Sequence, residues 1–340
     1  MNIKEVANKV GVSITTVSRV LNSPEKVNEE TKKKVLDTME ELNYTPNWFA
    51  RNIQNKRTNI IGIIVPDTLQ QSNMAVANGV EKIVLQKNCN IILCTSGFDR
   101  EAELNHINTL VERKIDGLIL VSSMLRKENL AMLKKKEVPF VLVEKTEDSE
   151  DENVIYTNYD SATFEAVDYL AEMGRKKIAI ILTNDKCYAN REKLKGYKSA
   201  IKENNLELRE DWMMEAKNTL EGGFAATNKL INHEDVPDAI FACTDTMAFG
   251  AIEAMKQNGL TPDDLGIIGF EGLEVGAVVE PKLTSVTIPA YRMGLTAGRM
   301  LFDLIEEEDA SGGIAQAIMM QSRLKIRKSC GNKERLREIW

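Results

Sequence analysis

The sequence predicts a small all-α headpiece joined to an α/β core made of two doubly wound parallel-sheet subdomains. Three observations predict it. The first 45 residues repeat their apolar positions at helical spacing, with turn residues between the repeats. From Asn59 onward, short β-rich apolar runs alternate with amphipathic helices. The spacing of those runs then stretches after Thr157 before a second series restarts at Lys177. A chain of 340 residues is long enough for such a division.

In the headpiece, Asn2 is placed to cap a first helix whose apolar positions Ile3, Val6, Ala7 and Val10 share a face, and Gly11 to end it. Ser13 then caps a second helix to about Asn22. After the Ser23-Pro24 break, Asn28 caps a third helix, with Val35, Leu36, Met39 and Leu42 expected on its inner face.

The core runs are Ile60–Val65, Asn90–Thr95, Gly117–Ser122, Phe140–Glu144, Val154–Thr157, Lys177–Thr183, Ala239–Thr244, Gly266–Phe270 and Thr284–Ile288. Runs that are apolar throughout and separated by helices belong to parallel sheets covered on both faces. The expected boundaries are 1–45 for the headpiece and 46–57 for the segment that joins it to the core. A first core subdomain spans 58–158, completed by about 289–320, and a second spans 159–288, completed by about 321–330. A tail, 331–340, follows. Crossovers near Asn158 and Ile288-Pro289 put a cleft between the two subdomains.

Charge is unevenly spread. Residues 1–56 carry nine Lys/Arg against seven Asp/Glu, while the remainder carries a net charge of −9, so the acidity belongs to the core. The five cysteines form no C-x-x-C pair and read as reduced thiols. The N-terminus lacks an apolar signal segment and no stretch is long and apolar enough for a membrane span, so a cytoplasmic protein is expected, with no membrane partner. The two histidines, His106 and His233, have no Ser, Cys or metal-ligand neighbour at useful spacing. No catalytic residue, metal site or cofactor is therefore expected, and the chain is not expected to be an enzyme. "GIIGFEG" is not G-x-G-x-x-G and reads as a strand.

The second helix carries the chemistry. With Val17, Val20 and Leu21 inward, Ile14, Thr15, Ser18, Arg19 and Asn22 point outward, and Arg19 is the only charge among them. Such a face suits the DNA major groove. Arg19 can donate a bidentate pair to guanine, Thr15, Thr16, Ser18 and Asn22 can bond base edges or phosphates, and Ile14 can press on thymine methyl groups. Phosphate neutralisation is left to flanking groups such as Lys4, Lys32, Lys33 and Lys34.

The runs "IKEVANKVGVSITTVSRVLN", "VNEETKKKVLDTMEELNYTPNWFARNI" and "RTNIIGIIVPD" resemble the N-terminal signature of the lactose-repressor (LacI/GalR) family. "DGLILV", "KGYKSAI", "FACTDTMAFGAIEAM", "GIIGFE" and "PKLTSVTIP" continue the resemblance in order, over about residues 2–328. The resemblance implies a helix-turn-helix headpiece, a hinge helix over Pro46–Ile53 and a core of the periplasmic sugar-binding-protein type. It also implies a homodimer, or a tetramer, on a palindromic double-stranded DNA operator. Ile53 stands where relatives usually have a Leu that wedges into the minor groove, and Asn47 and Arg51 where groove or phosphate contacts lie. A repressor controlled by an effector is the expected function, the effector being a sugar or sugar-phosphate-like metabolite in the cleft. A small-molecule-binding α/β protein or enzyme is the remote alternative.

In open α/β folds, ligands bind beyond the C-terminal ends of strands. This gives Asp67, Gln70, Ser96, Glu144, Asn158, Arg191, Lys193, Asp245 and Glu271 as candidate effector residues. Several depart from the family pattern. Gln70 replaces an Asn, Lys193 replaces an Arg and loses its bidentate fork, and Glu271 replaces an Asp. A familiar hexose or purine is therefore not supported. A second expectation concerns Tyr291 and Arg299, whose Tyr-x7-Arg spacing resembles the catabolite control proteins within the family. Those use a serine-phosphorylated carrier protein (HPr) as corepressor, and Arg292 and Arg299, seven apart on one helical face, can together engage a phosphate. The competing reading pairs Arg299 with Asp303 and packs Tyr291 at a dimer surface.

Overall fold

Local sequence signals set the three headpiece helices in the computed structural model, which describes residues 2–22, 24–42, 44, 57–185, 187–307 and 314–332. The Asn2 side chain accepts the backbone N–H groups of Lys4 and Glu5 and opens α1 (Ile3–Val10), and Gly11 closes it with φ 76°. Ser13 Oγ accepts the Thr16 N–H at 3.1 Å and opens α2 (Ile14–Asn22); Asn28 opens α3 (Glu29–Glu41) by accepting the Glu30 N–H. Val6, Ala7, Val17, Val20, Val35 and Met39 form a common core. Leu36, expected on the inner face, is instead 44% exposed, because Val35, Met39 and Leu42 already make the inward stripe and Leu36 falls a 100° step outside it. Residues 1–59 form one unit and 60–340 another.

The second unit follows a β-α rhythm. Its first half runs β1 (Ile60–Val65), α4 (Gln71–Gln86), β2 (Asn90–Thr95), α5 (Arg100–Glu112), β3 (Gly117–Val121), α6 (Lys127–Lys135), β4 (Phe140–Val143) and β5 (Val154–Thr157). The second half runs α7 (Tyr159–Glu172), β6 (Ile178–Thr183), α8 (Tyr188–Glu203), β7 (Met213–Ala216), α9 (Leu220–Ile231), β8 (Ala239–Ala242), α10 (Asp245–Gln257), β9 (Gly266–Glu271) and β10 (Thr284–Thr287). The chain then returns to the first half with α11 (Ala290–Glu306) and β11 (Ala317–Met320), and ends its described strands with β12 (Arg323–Lys325) in the second.

The two six-stranded sheets have the orders β11-β5-β4-β3-β1-β2 and β12-β10-β9-β8-β6-β7. All pairings are parallel except β10 with β12, which is antiparallel. Register is fixed by burial. Ile61, Ile63 and Val65 face α4 and α11, while Ile64, one step out of phase, faces α5 and α6 with Leu118 and Leu120. The second sheet buries Ile178–Leu182, Phe241 and Phe270 among α7 to α10. The nine apolar runs each contain a strand. β7, β11 and β12 have no such run because they are short, half-exposed sheet-edge segments.

Strand order reverses at β1/β3 in one sheet and at β6/β8 in the other. The loops beyond those strands' C-terminal ends converge on a common cleft.

Candidate functional site

The exposed side of α2 is built by its buried side. Val17 and Val20 are sequestered, so Ile14 (42% exposed), Thr15 and Arg19 stand outward and Thr16 and Ser18 are half-buried. The Thr16 hydroxyl meets the capping Ser13 hydroxyl at 2.9 Å, which places both at the electropositive start of the helix. Asn22 ends α2. Asn47, Arg51 and Ile53 lie outside the described residues.

The cleft between the two sheets is lined from both halves. From the first half, Gln70, Ser72 and Asn73 enter at the start of α4, Phe98 beyond β2, Ser122 and Ser123 beyond β3, and Glu144 and Lys145 beyond β4. The second half contributes Tyr159, Thr183, Asp185, Tyr188, Asn190, Lys193, Asn218, Thr244 and Glu271. Three non-glycine residues at strand ends, Ser122 (φ 47°), Glu144 (φ 75°) and Glu271 (φ 116°), take left-handed backbone, and all three line this cleft. Backbone held in such sparsely populated regions costs on the order of 1–3 kcal/mol per residue and clusters at ligand sites.

Four of the sequence-predicted residues, Gln70, Glu144, Lys193 and Glu271, come together here, and five do not. Asp67 turns onto its own loop and accepts the Leu69 N–H at 2.8 Å. Ser96 is buried, and Phe98, two residues on, faces the cleft in its stead. Asn158 caps α7 by accepting the Ser161 N–H at 3.2 Å and borders a separate surface depression. Arg191 points to the rim, where its Nη2 meets Glu147 Oε1 at 2.6 Å. Asp245, the first residue of α10, is fully buried behind the cleft. Its two oxygens accept Ser285 Oγ at 2.5 Å and the Leu273 N–H at 2.6 Å, so it holds the loop that follows Glu271. Strand-end position alone does not tell a side chain that lines a cleft from one that ties the adjacent turn.

Sequence reasoning missed Tyr159, Asp185, Tyr188 and Asn190. Asp185 and Asn190 are coupled, the Asn190 amide donating to Asp185 Oδ1, Asp185 O and Thr183 O. The segment 183–190 directly follows β6, and a count of polar residues beyond that strand end was the available signal.

Burial dominates the electrostatics. It pushes the Glu144 carboxyl up to about 7, against the opposing pull of the Tyr159 hydroxyl, the Thr157 N–H and Lys193. Glu271 is likewise raised to about 7 by burial, opposed by Lys193 and a 3.3 Å bond from Ser72 Oγ, and reinforced by Asp245. The Cys187 thiol is raised to about 12 by burial and by Asp185, which favours its protonated form. The Lys193 ammonium donates to Cys243 O at 2.9 Å and sits 4.1 Å from the Phe270 ring centroid and 5.1 Å from that of Tyr159. No three-residue group suited to holding a metal ion occurs among the described residues.

On the first half's surface, Tyr291, Arg292 and Arg299 are all exposed on α11. Arg299 and Asp303 do not form an ion pair among the described residues. No described helix is long and apolar enough to cross a membrane.

The pattern of known proteins agrees with this architecture. The signature of "Bacterial regulatory proteins, lacI family" matches residues 2–47, and that of a periplasmic binding protein-like domain matches 167–330. Catabolite control protein A of Priestia megaterium is 36% identical over 331 residues, covering 97% of this chain and 99% of that protein. The transcriptional regulator CelR, solved as a cellobiose complex, superposes with a TM-score of 0.70 at 27% identity, covering 97% and 99% of the two chains. The lac repressor dimer bound to operator and the anti-inducer ONPF shares the fold, with a TM-score of 0.84 at 24% identity and the same coverage. These relatives are regulators, not enzymes. This chain belongs to the lacI family of bacterial regulatory proteins and is a DNA-binding transcriptional regulator with a periplasmic-binding-protein-like core.

Proposed function

We propose that this chain is a cytoplasmic homodimeric repressor that docks α2 into successive major grooves of a palindromic operator. A small polar metabolite closing the core cleft would set its affinity for that operator. The observation that carries the effector half is the convergence of three strained strand ends, Ser122, Glu144 and Glu271, on one polar cleft between two sheets. The DNA half rests on the outward Ile14, Thr15 and Arg19 with a single charge among them. Asn22, Asn47 and Arg51 are assigned supporting contacts, and Ile53 the minor-groove wedge.

Linkage gives the mechanism its scale. An effector that favours one arrangement of the two halves by roughly 1–3 kcal/mol changes operator affinity about 5- to 150-fold. Following operator binding during titration with candidate metabolites tests the effector half, and no response to any of them removes it. For the reading helix, Arg19→Ala is expected to lose about 1–3 kcal/mol of discrimination between operator and random DNA, with little change on random DNA. An equal loss on both, measured by competition binding, removes the base-reading role.

A second reading is favoured by α11. Arg292 and Arg299 are exposed without an acidic partner among the described residues, beside Tyr291, and catabolite control protein A is a full-length relative. In it, a serine-phosphorylated carrier protein docks on this face as corepressor, with the two guanidinium groups on its phosphate.

A further inference from the structure

The cleft is short of positive charge where a phosphate or sulfate ester would need it. Three carboxylates line it, Glu144, Asp185 and Glu271, against two ammonium groups, Lys145 and Lys193, and no arginine is present among the described lining residues. Both ammonium groups already have partners. Lys193 is buried, bonded to Cys243 O and held against the Tyr159 and Phe270 rings, and its charge acts on both Glu144 and Glu271, although among the described residues it lies within 4 Å of neither carboxylate. The Lys145 ammonium lies 3.9 Å from the Tyr156 ring centroid, and that ring is not part of the cleft wall.

The carboxylates, by contrast, have unused acceptor capacity. Among the described residues, the hydrogen bond to the Glu271 carboxylate is the 3.3 Å contact from Ser72 Oγ on α4 of the opposite half. Glu144 is 7% exposed and is bonded by the Tyr159 hydroxyl and, at 3.5 Å, by the Thr157 N–H. An ionised carboxylate accepts about four hydrogen bonds, so both keep acceptor capacity toward the cleft, Glu144 buried and Glu271 half-buried. Each sits at the end of its strand with positive φ, Glu144 from the first half and Glu271 from the second. The backbone thus spends conformational energy to present these two groups to the cleft from opposite sides.

We propose that the effector of this cleft carries a protonated amine, an ammonium group that bridges Glu144 and Glu271 and thereby draws the two halves together. The inference rests on the cleft being the effector site. Ammonium has three donors, and two carboxylates facing the cleft from separate halves are engaged in one event, which makes closure and binding the same step. The remaining lining groups suit a small polar body on that amine: Asn190, Asn218 and Ser123 offer hydrogen bonds, and Phe98 and Tyr188 offer apolar faces.

The pH dependence follows from the groups that face the two glutamates. Tyr159 from α7, the Thr157 N–H and Lys193 from α8 act on Glu144, and Lys193, Asp245 from behind β9 and Ser72 from α4 act on Glu271. Burial is the largest cause and favours the neutral acids. A cation must therefore displace protons below about pH 7, and its affinity rises with pH.

Calorimetric titration of the full chain with ethanolamine, putrescine, glucose and glucose 6-phosphate at pH 5.5 and pH 8 tests this. The amines are expected to bind at pH 8 at least tenfold more tightly than glucose or glucose 6-phosphate, and at least tenfold more weakly at pH 5.5. Glu271→Gln is expected to weaken amine binding at least tenfold while leaving the thermal unfolding midpoint unchanged or higher. If that variant fails to fold, the pH series on the unaltered chain decides. Tighter binding of glucose or glucose 6-phosphate overturns the amine assignment and leaves the cleft as effector site. Amine binding that does not change between the two pH values overturns it also, as does the absence of binding by both amines. An operator response to a phosphorylated carrier protein, with none of the four small molecules bound, overturns the cleft reading itself.

Discussion

Glu144 shows what burying a carboxyl costs the fold. Its carboxyl is raised from an ordinary 4.5 to about 7 chiefly because it is buried, so the folded core holds a proton there that the unfolded chain releases. The contribution is present in full below about pH 4.5 and is lost as pH climbs to about 7. Over that window this group alone withdraws up to about 3 kcal/mol from the core. Glu144→Gln keeps the shape and removes the titration. Its unfolding free energy, followed by denaturant titration at several pH values, is expected to fall less steeply between pH 4.5 and 7 than that of the unaltered chain, and an identical slope would place the titration elsewhere. Asp245, also raised by burial, makes the opposite use of its position: its oxygens bond Ser285, Leu273 and Gly272 behind the cleft wall, so it positions the loop after β9 and does not face the cleft.

Among the elements, α11 carries two tasks on two faces. Its inner face, with Met293, Ala297, Met300 and Leu301 buried, packs on α4, and the closest approach is possible only because Gly79 and Gly294 meet there. A Cβ on either would overlap backbone of the facing helix. That tight crossing fixes the outer face, where Tyr291, Arg292 and Arg299 stand. On the second reading of function, Arg299→Ala is expected to abolish a carrier-dependent gain in operator binding while leaving binding by the chain alone unchanged. A gain that persists in the variant removes α11 as the docking face. The helix pattern was legible in the sequence because 3.6-residue periodicity is a local property. The freedom of its two arginines was not, since the competing Arg299–Asp303 pair has equally good spacing.

For the core as a whole, the question is what holds its two halves at a given separation. Besides the cleft floor, Glu147, in the loop after β4, pairs both with Arg126 of its own half and with Arg191 on α8 of the other. All three are half-exposed, so the bridge contributes at most about 1 kcal/mol. Glu147→Ala is accordingly expected to weaken apparent effector affinity less than about fivefold, read by titration of the effector against operator binding. A loss of a hundredfold would mean that this rim, not the cleft floor, governs closure.

The sequence alone determined the order of elements and the outward face of α2. Helical and strand periodicity, cap residues such as Asn2, Ser13 and Asn28, and the spacing around Arg19 all act within a few residues of chain, and composition carries them directly. The nine apolar runs were legible for the same reason: strands buried on both faces must be apolar throughout. Edge strands β7, β11 and β12 escape that requirement and escaped notice. What tertiary structure decided was the cleft. Gln70, Glu144, Lys193 and Glu271 were found from strand ends, whereas Asp67, Ser96, Asn158, Arg191 and Asp245 shared that position and were taken up by turns, caps, burial and the rim. Which of two neighbouring polar side chains faces a ligand depends on φ at the strand end and on hydrogen bonds to residues tens or hundreds of positions away, as with Ser72 and Glu271. Periodicity carries no information about either.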